Sequence, residues 1–476
     1  MDMSIISSLC AIFLPFIYGI YLLVSRFKLS YVNKKVLNYG TFFSNLAALT
    51  VFVVLLALIF QETTIQTLNF NIFNFDKINL DFGFMVNKEN IIYLVFSSFF
   101  YTILALYSKF YFDKKKQFLF TKQRFYIFLS ILATNTYLFF VSANLFQTFL
   151  FWVLEGILIF VFSYFDIFKN TANFNITRFQ KIFLIGDISF LTSVLILFRY
   201  AVLQEGYVNS SSLGFDELNV LISYTYGISN ALELKLSVLG FSVAILTRLC
   251  VFPFSCYGSF FANSSNVFYL SVVGVTNSLL ALFLYAKIFP LIELFDNFPN
   301  YLIIISIVTV LSSLIFLLFE KNIKIIFGYL ISIVNAIFLV AYLLLKGFTT
   351  EESLICPYFL ILFGLLFILM FLFMKDKVTF KRRIINKQKG FFLEKAHIVL
   401  FENLPLKISS FINFLDEKIV QNVFPFVVEI INKIISLFVI KFKRKDKIKH
   451  IQAVLIIFAI FAILAIFIAL FGRYKV

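Results

Sequence analysis

The sequence predicts an all-α polytopic membrane protein of about 12 transmembrane helices, on three observations: composition, the recurrence of helix-length apolar windows, and the alternation of charge between the loops. Of 476 residues, 61% are hydrophobic and 14% charged. Mean hydropathy is +0.96. Water-soluble domains carry about a quarter charged residues, so this balance excludes that class.

Apolar windows long enough to cross about 30 Å of hydrocarbon as a helix occur at 4–24, 40–60, 91–112, 125–142, 145–166 and 180–201. They continue at 236–255, 266–287, 300–319, 323–345, 355–374 and 451–471. The first lacks a basic start and a small-residue cleavage site, so it is read as part of the mature protein and not as a signal peptide. Loops after odd-numbered spans are basic: Arg26, Lys28, Lys34 and Lys35; Lys114, Lys115, Lys116, Lys122 and Arg124; Lys375, Lys377, Lys381, Arg382, Arg383, Lys387 and Lys389. Loops after even-numbered spans carry Glu205, Asp216, Glu217, Glu293, Asp296, Glu351 and Glu352. The positive-inside rule then puts the odd loops on the cytoplasmic or matrix side and both termini on the other. The net charge of +16 is accounted for by topology and by contact with anionic lipid, without a nucleic-acid partner.

Between Pro405 and Lys449 the pattern changes. Ile408, Phe411, Leu415, Ile419 and Val423 recur at helical spacing, while Lys407, Ser410, Asn413, Glu417 and Gln421 take the other face. That is the pattern of an amphipathic helix lying along a membrane. Pro425, Glu429, Asn432 and Lys433 interrupt the apolar stretch that follows. Were that stretch to cross, the basic run at 441–447 would lie on the acidic side. A surface helix and one final span are therefore expected. Cys10, Cys250, Cys256 and Cys356 sit in or beside apolar spans and form no C-x-x-C pair, so they read as buried thiols and not as metal ligands or a disulfide framework.

Charges stranded inside spans are the candidate functional residues. Glu155 lies near the middle of Leu145 to Phe165, and Arg248 is stranded likewise in Leu236 to Phe254. A charge at the bilayer centre costs roughly 2.5–3.5 kcal/mol on insertion scales, and so faces a partner or a wet cavity. Asp187 lies about two turns inside its span, Lys287 near a helix end, and Lys324 near the basic boundary. Each has a structural alternative. Glu155 with Arg248 makes a static ion pair that fixes packing, Asp187 accepts hydrogen bonds from neighbouring helices, and Lys287 and Lys324 snorkel to the interface.

Several motifs occur in an order that points to a family. They are Leu106-Tyr-Ser-Lys-Phe-Tyr-Phe-Asp113, Arg124-Phe-Tyr, Asn144-Leu145, Glu155-Gly156 and Ile185-Gly186-Asp187. Arg248 with Pro253, Phe283-Leu-Tyr-Ala-Lys287 and Asn322-Ile-Lys324-Ile-Ile-Phe-Gly-Tyr329 follow. Over roughly residues 80–345 this order resembles NADH dehydrogenase subunit 5, the distal antiporter-like subunit in the membrane arm of respiratory complex I. The lateral helix and last span inferred for 405–471 fit that subunit and not its shorter sisters. The resemblance implies an antiporter-like helical bundle with a C-terminal lateral helix and a final transmembrane anchor. Its expected parts are helices 1–3 over 1–112, a five-helix repeat over 113–287, a truncated second repeat over 288–374, a basic linker with the lateral helix over 375–449, and the anchor over 450–476.

In this family a glutamate on helix five pairs with a lysine on helix seven to gate proton movement. The resemblance assigns these places to Glu155 and Arg248, with Asp187, Lys287 and Lys324 as further proton-path candidates. The chain departs from the pattern at several points. A guanidinium stays charged in proteins, so Arg248 polarises Glu155 without itself relaying protons. Val273 stands at the eighth-helix histidine position, with Thr276 and Asn277 nearby. The polar residues expected in the eleventh span give way to Cys356-Pro-Tyr-Phe-Leu-Ile-Leu-Phe-Gly364. The second inverted repeat, five helices in the family's roughly sixteen-helix pattern, stops after three. The four missing helices are either absent or supplied by another polypeptide.

The implied function is a complex I subunit contributing to proton translocation coupled to quinone reduction. The alternatives are a non-pumping structural or assembly subunit, and a free-standing cation/proton antiporter. No Gly-rich or Cys-ligand pattern for a cofactor occurs, so ubiquinone, NADH, FMN and iron–sulfur clusters are expected elsewhere in such a complex. The expected partners are other membrane-arm subunits, especially antiporter-like neighbours along the lateral helix, and membrane lipids. The expected location is the mitochondrial inner membrane with both termini towards the intermembrane space, or alternatively a bacterial plasma membrane.

Overall fold

In a bilayer each spanning segment must satisfy its own backbone polar groups, which the α-helix does without a partner strand. The computed structural model describes residues 3–27, 34–59, 66–75, 78–115, 119–163, 173–203, 214–215, 232–254, 267–295, 297–319, 323–345, 355 and 357–365. Among them the long helices are α1 (Met3–Phe27), α2 (Lys34–Ile59), α3 (Lys88–Lys115), α4 (Leu119–Phe140) and α5 (Leu145–Ser163). They continue with α6 (Asn173–Leu203), α7 (Leu232–Leu249), α8 (Val267–Glu293), α9 (Phe298–Phe319) and α10 (Ile323–Leu345). Each of the first ten predicted spans falls on one of these helices. Eight of them are long and apolar enough to cross a membrane. The other two are α4, which carries Lys122, Gln123, Arg124 and a polar run at Thr134-Asn-Thr136, and α7, which carries Glu233, Lys235 and Arg248 in 18 residues. Residues 357–365 are helical within the eleventh predicted span. The lateral helix expected between 405 and 449 and the final anchor lie outside the described residues. The chain is an all-α polytopic membrane protein, with one small β element among the described residues.

That β element departs from the sequence reading, which leaves the α2–α3 connection without structure. β1 (Gln66–Phe75) and β2 (Ile78–Val86) form an antiparallel hairpin running from Gln66↔Val86 to Phe75↔Ile78, with an irregularity between Asn71 and Phe73. Thr67-Leu-Asn-Phe-Asn-Ile alternates polar and apolar residues, the signature of a strand. A search for 20-residue apolar windows passes over so short a period. The end of β2 docks on the α4–α5 turn, where the Met85 N–H donates to Val141 O at 2.8 Å and the Ala143 N–H to Gly83 O at 3.1 Å.

Helix starts follow local capping rules. Asn87 Oδ1 accepts the Asn90 N–H at 2.8 Å at the head of α3. Asn144 Oδ1 accepts the Gln147 N–H at 2.7 Å at the head of α5. Each satisfies a donor the helix leaves open, which gives the Asn144-Leu145 motif a physical role. Lipid tails are as apolar as the helices, so close packing holds the bundle together. At Gly186 a Cβ would run into the Thr247 side chain, so glycine lets α6 approach α7 closely. Aromatic rings fill the interior: Tyr93 stacks on Phe140 and meets Phe283 edge-on, both at 5.3 Å between centroids.

Candidate functional site

Glu155 is fully buried in the middle of α5. Its carboxylate is held from α4: Asn135 Nδ2 donates to Oε2 at 2.6 Å, and the Thr136 hydroxyl to Oε1 at 3.1 Å. Both donors come from the Thr134-Asn-Thr136 run. Thr136 Oγ1 also lies 2.8 Å from the Tyr101 hydroxyl on α3, which donates to it when the threonine proton is directed at Glu155. Thr276 on α8 meets the same tyrosine hydroxyl. A line of polar groups thus runs from Glu155 across α4 to Tyr101 on α3, with Thr276 of α8 nearby. One residue further along α4, the Tyr137 hydroxyl donates to the buried Asn45 Oδ1 on α2 at 2.8 Å.

Arg248 belongs to a second cluster. It is fully buried in the last turn of α7. The helix ends immediately after it: the Cys250 N–H donates to Thr247 O at 3.3 Å and the Val251 N–H to Leu246 O at 3.1 Å, with Cys250 at φ 51°. This is a Schellman cap with cysteine in the left-handed position usually given to glycine. The backbone released by the break finds partners on other helices. Asn335 Nδ2 on α10 donates to Leu249 O at 2.9 Å, and Thr309 Oγ1 on α9 accepts the Phe252 N–H at 2.9 Å. Irregular backbone among buried residues requires such partners. The predicted span over 236–255 therefore stops short, and Arg248 sits at the negative end of a helix dipole, which favours a cation.

The ion pair of Arg248 is with Asp187 on α6, Nη2 to Oδ1 at 2.9 Å, whereas the sequence reading pairs it with Glu155. Nη1 donates to Asn277 Oδ1 at 3.0 Å and Nη2 to Trp152 O at 3.2 Å. The guanidinium also lies 4.3 Å from the Phe183 ring centroid and 4.8 Å from that of Trp152. Trp152 Nε1 donates to the same Asp187 oxygen at 2.8 Å. Gly156 explains this placement, because a Cβ there would lie 2.8 Å from Arg248 Nη2. The missing side chain next to Glu155 lets the guanidinium lie against α5 and reach past it to α6. Arg248 remains within electrostatic reach of Glu155.

From Asn277 the polar groups continue. Neighbouring Ser278 accepts Asn335 Nδ2 at 3.0 Å, and the Tyr358 hydroxyl donates to Asn335 Oδ1 at 2.6 Å. Val273 is buried a turn away and adds no polar group. Lys287 meets the partly exposed Glu89 Oε2 at the head of α3 at 2.7 Å, because the chain brings α3 and α8 side by side at that level. Lys324 lies in the first turn of α10, and its side chain is outside the described part. The structure thus pairs Arg248 with Asp187, keeps Glu155 within electrostatic reach of that pair, and leaves Lys287 in a separate one.

The sequence reading missed Asn135, Thr136, Tyr101, Trp152, Asn335 and Glu89. Three consecutive polar residues at 134–136 in an otherwise apolar window are a visible signal. Tyr101 and Trp152 are indistinguishable in sequence from the many packing aromatics. No group of three or more His, Cys, Asp or Glu placed to hold a metal occurs among the described residues.

No family model matches the chain, and no curated protein matches it by sequence. By structure it is similar to a chain in the respiratory complex I of Thermus thermophilus solved with bound NADH, with a TM-score of 0.58 and 13% identity, covering 77% of this chain and 71% of that one. At that identity the likeness is one of fold: the chain shares its helical architecture with a chain of respiratory complex I.

Proposed function

We propose that the chain is a membrane-arm subunit of NADH:ubiquinone oxidoreductase and that Glu155 is its proton-exchanging group. The observation that carries this reading is the buried line Glu155, Thr136, Tyr101. Hydroxyl groups both donate and accept, so the Thr136 and Tyr101 hydroxyls can reverse direction as a proton passes. Arg248, permanently charged, sets the local field and does not carry the proton. The shared fold and the motif order support the assignment to complex I. In this reading ubiquinone, NADH, FMN and iron–sulfur clusters are bound by other subunits. The partners are neighbouring antiporter-like subunits, and the membrane is the mitochondrial inner membrane or its bacterial counterpart.

The test is the proton-to-electron ratio of assembled complexes carrying Glu155→Gln. A reduced ratio with normal assembly is the expected result, and an unchanged ratio would sink the pumping role. A second reading, a non-pumping structural subunit, is favoured by how firmly Arg248 is held by Asp187, Trp152 and Asn277. It predicts an unchanged ratio and impaired assembly when those contacts are cut.

A further inference from the structure

Away from the buried site, the basic ends of α1 and α4 meet in an arrangement that the proton path does not use. Three successive residues of α4 there have different fates. Lys122 is neutralised by Asp113 at 3.0 Å. Gln123 Nε2 donates to Leu22 O at 2.9 Å and to Ser25 Oγ at 3.1 Å, tying the start of α4 to the last turn of α1. Because Gln123 and Ser25 adjoin Arg124 and Arg26, that tie brings the two arginines within electrostatic reach of each other. Neither arginine has an ion pair or hydrogen bond among the described residues, and Arg124 Nε is buried without an acceptor. An arginine that only marks topology snorkels until its whole head is in water. Here part of one guanidinium is withdrawn from water, and two like charges lie within electrostatic reach of each other, which is unfavourable unless an anion joins them. One turn before Arg26 on α1, Leu23 exposes an apolar side chain, and Ile20 does so one turn further.

We infer that Arg26 and Arg124 form a binding site for the phosphodiester headgroup of an anionic membrane lipid, whose acyl chains lie along the outer face of α1. Guanidinium groups bind phosphate oxygens through paired, charge-assisted hydrogen bonds, and basic recesses between helices on this face of a membrane suit such headgroups. The adjoining apolar face favours a lipid over free phosphate. The site stands independently of the proposed proton path.

The test uses the full chain in detergent, stripped of its native lipid. It is titrated with phosphatidylglycerol, with phosphatidylcholine of the same acyl chains, and with inorganic phosphate, and adducts are counted by native mass spectrometry. Phosphatidylglycerol is expected to bind in preference to the other two, with apparent affinity falling about tenfold in R26Q/R124Q and unchanged in K114Q/K115Q. Equal retention of the two lipids, binding of inorganic phosphate alone, or full phosphatidylglycerol retention by R26Q/R124Q would each overturn the site. Should that double variant not fold, phosphatidylglycerol carrying a photoactivatable group near its headgroup is applied to the unaltered chain. Labelling within 17–26 or 119–127 is expected, and labelling confined to other segments refutes the proposal.

Discussion

Glu155 and Asp187 are carboxylates on successive helices, both buried, yet they are held in different ways. Glu155 accepts hydrogen bonds from an amide and a hydroxyl, at 2.6 and 3.1 Å. Asp187 accepts from a guanidinium and an indole, at 2.9 and 2.8 Å. The Thr136 hydroxyl can serve its partner as donor or as acceptor, whereas the guanidinium and the indole have only donors. Asp187 is therefore committed to one arrangement with Arg248, while Glu155 keeps its partners through a change of protonation. In the proposed reading, what faces each carboxylate makes Asp187 the structural one and Glu155 the exchangeable one.

The same conservative change at the two sites should separate these roles most sharply. Asp187→Asn leaves Arg248 without its ion pair, and removing one member of a buried pair costs about 3–5 kcal/mol. A large loss of thermal stability in detergent, or loss of the assembled complex on native gels, is expected. Gly156→Ala tests the geometry that sends Arg248 to α6. Its Cβ would crowd Nη2, and overpacking of this kind costs about 1–3 kcal/mol. A melting temperature equal to that of the parent would argue against the contact.

Thr136→Val removes the hydroxyl between Glu155 and Tyr101. Its expected cost is about 1 kcal/mol, accompanied by a fall in proton-to-electron ratio that a merely structural threonine would not produce. Glu155→Gln is expected to shift stability least of the buried changes, by under about 1 kcal/mol, because the amide oxygen still accepts from one of the two donors. If it destabilises as much as Asp187→Asn, the contrast between the two carboxylates is wrong. Outside the cluster, Glu89→Gln breaks a partly exposed pair with Lys287 and should cost at most about 1 kcal/mol. It serves as the control for nonspecific loss of charge.

Legibility differed from residue to residue. The positions of α1 to α10 were readable because a bilayer demands long apolar runs, and such runs announce themselves locally. Glu155, Asp187 and Arg248 were readable for the converse reason: a charge in such a run is an anomaly. The hairpin over 66–86 was missed because its signal has period two and few residues. The early end of α7 was missed because the Leu249-Cys-Val-Phe-Pro-Phe254 segment remains apolar, and hydropathy does not register where a helix cap replaces helical hydrogen bonds. The pairing of Lys287 with Glu89 was missed because the two lie 198 residues apart in the chain.

By itself, the sequence determined the solvent in which this protein folds, the number and order of most of its helices, and which charged groups are buried within them. These follow from transfer free energies, which are properties of single segments. Only the tertiary structure decided the pairing: that Arg248 meets Asp187 past a glycine, that Glu155 rests on Asn135 and Thr136, and that Gln123 ties α4 to the last turn of α1. Ion pairs and hydrogen bonds act over a few ångströms between helices. Which groups come within that range depends on how the helices pack, through contacts such as those at Gly156 and Gly186.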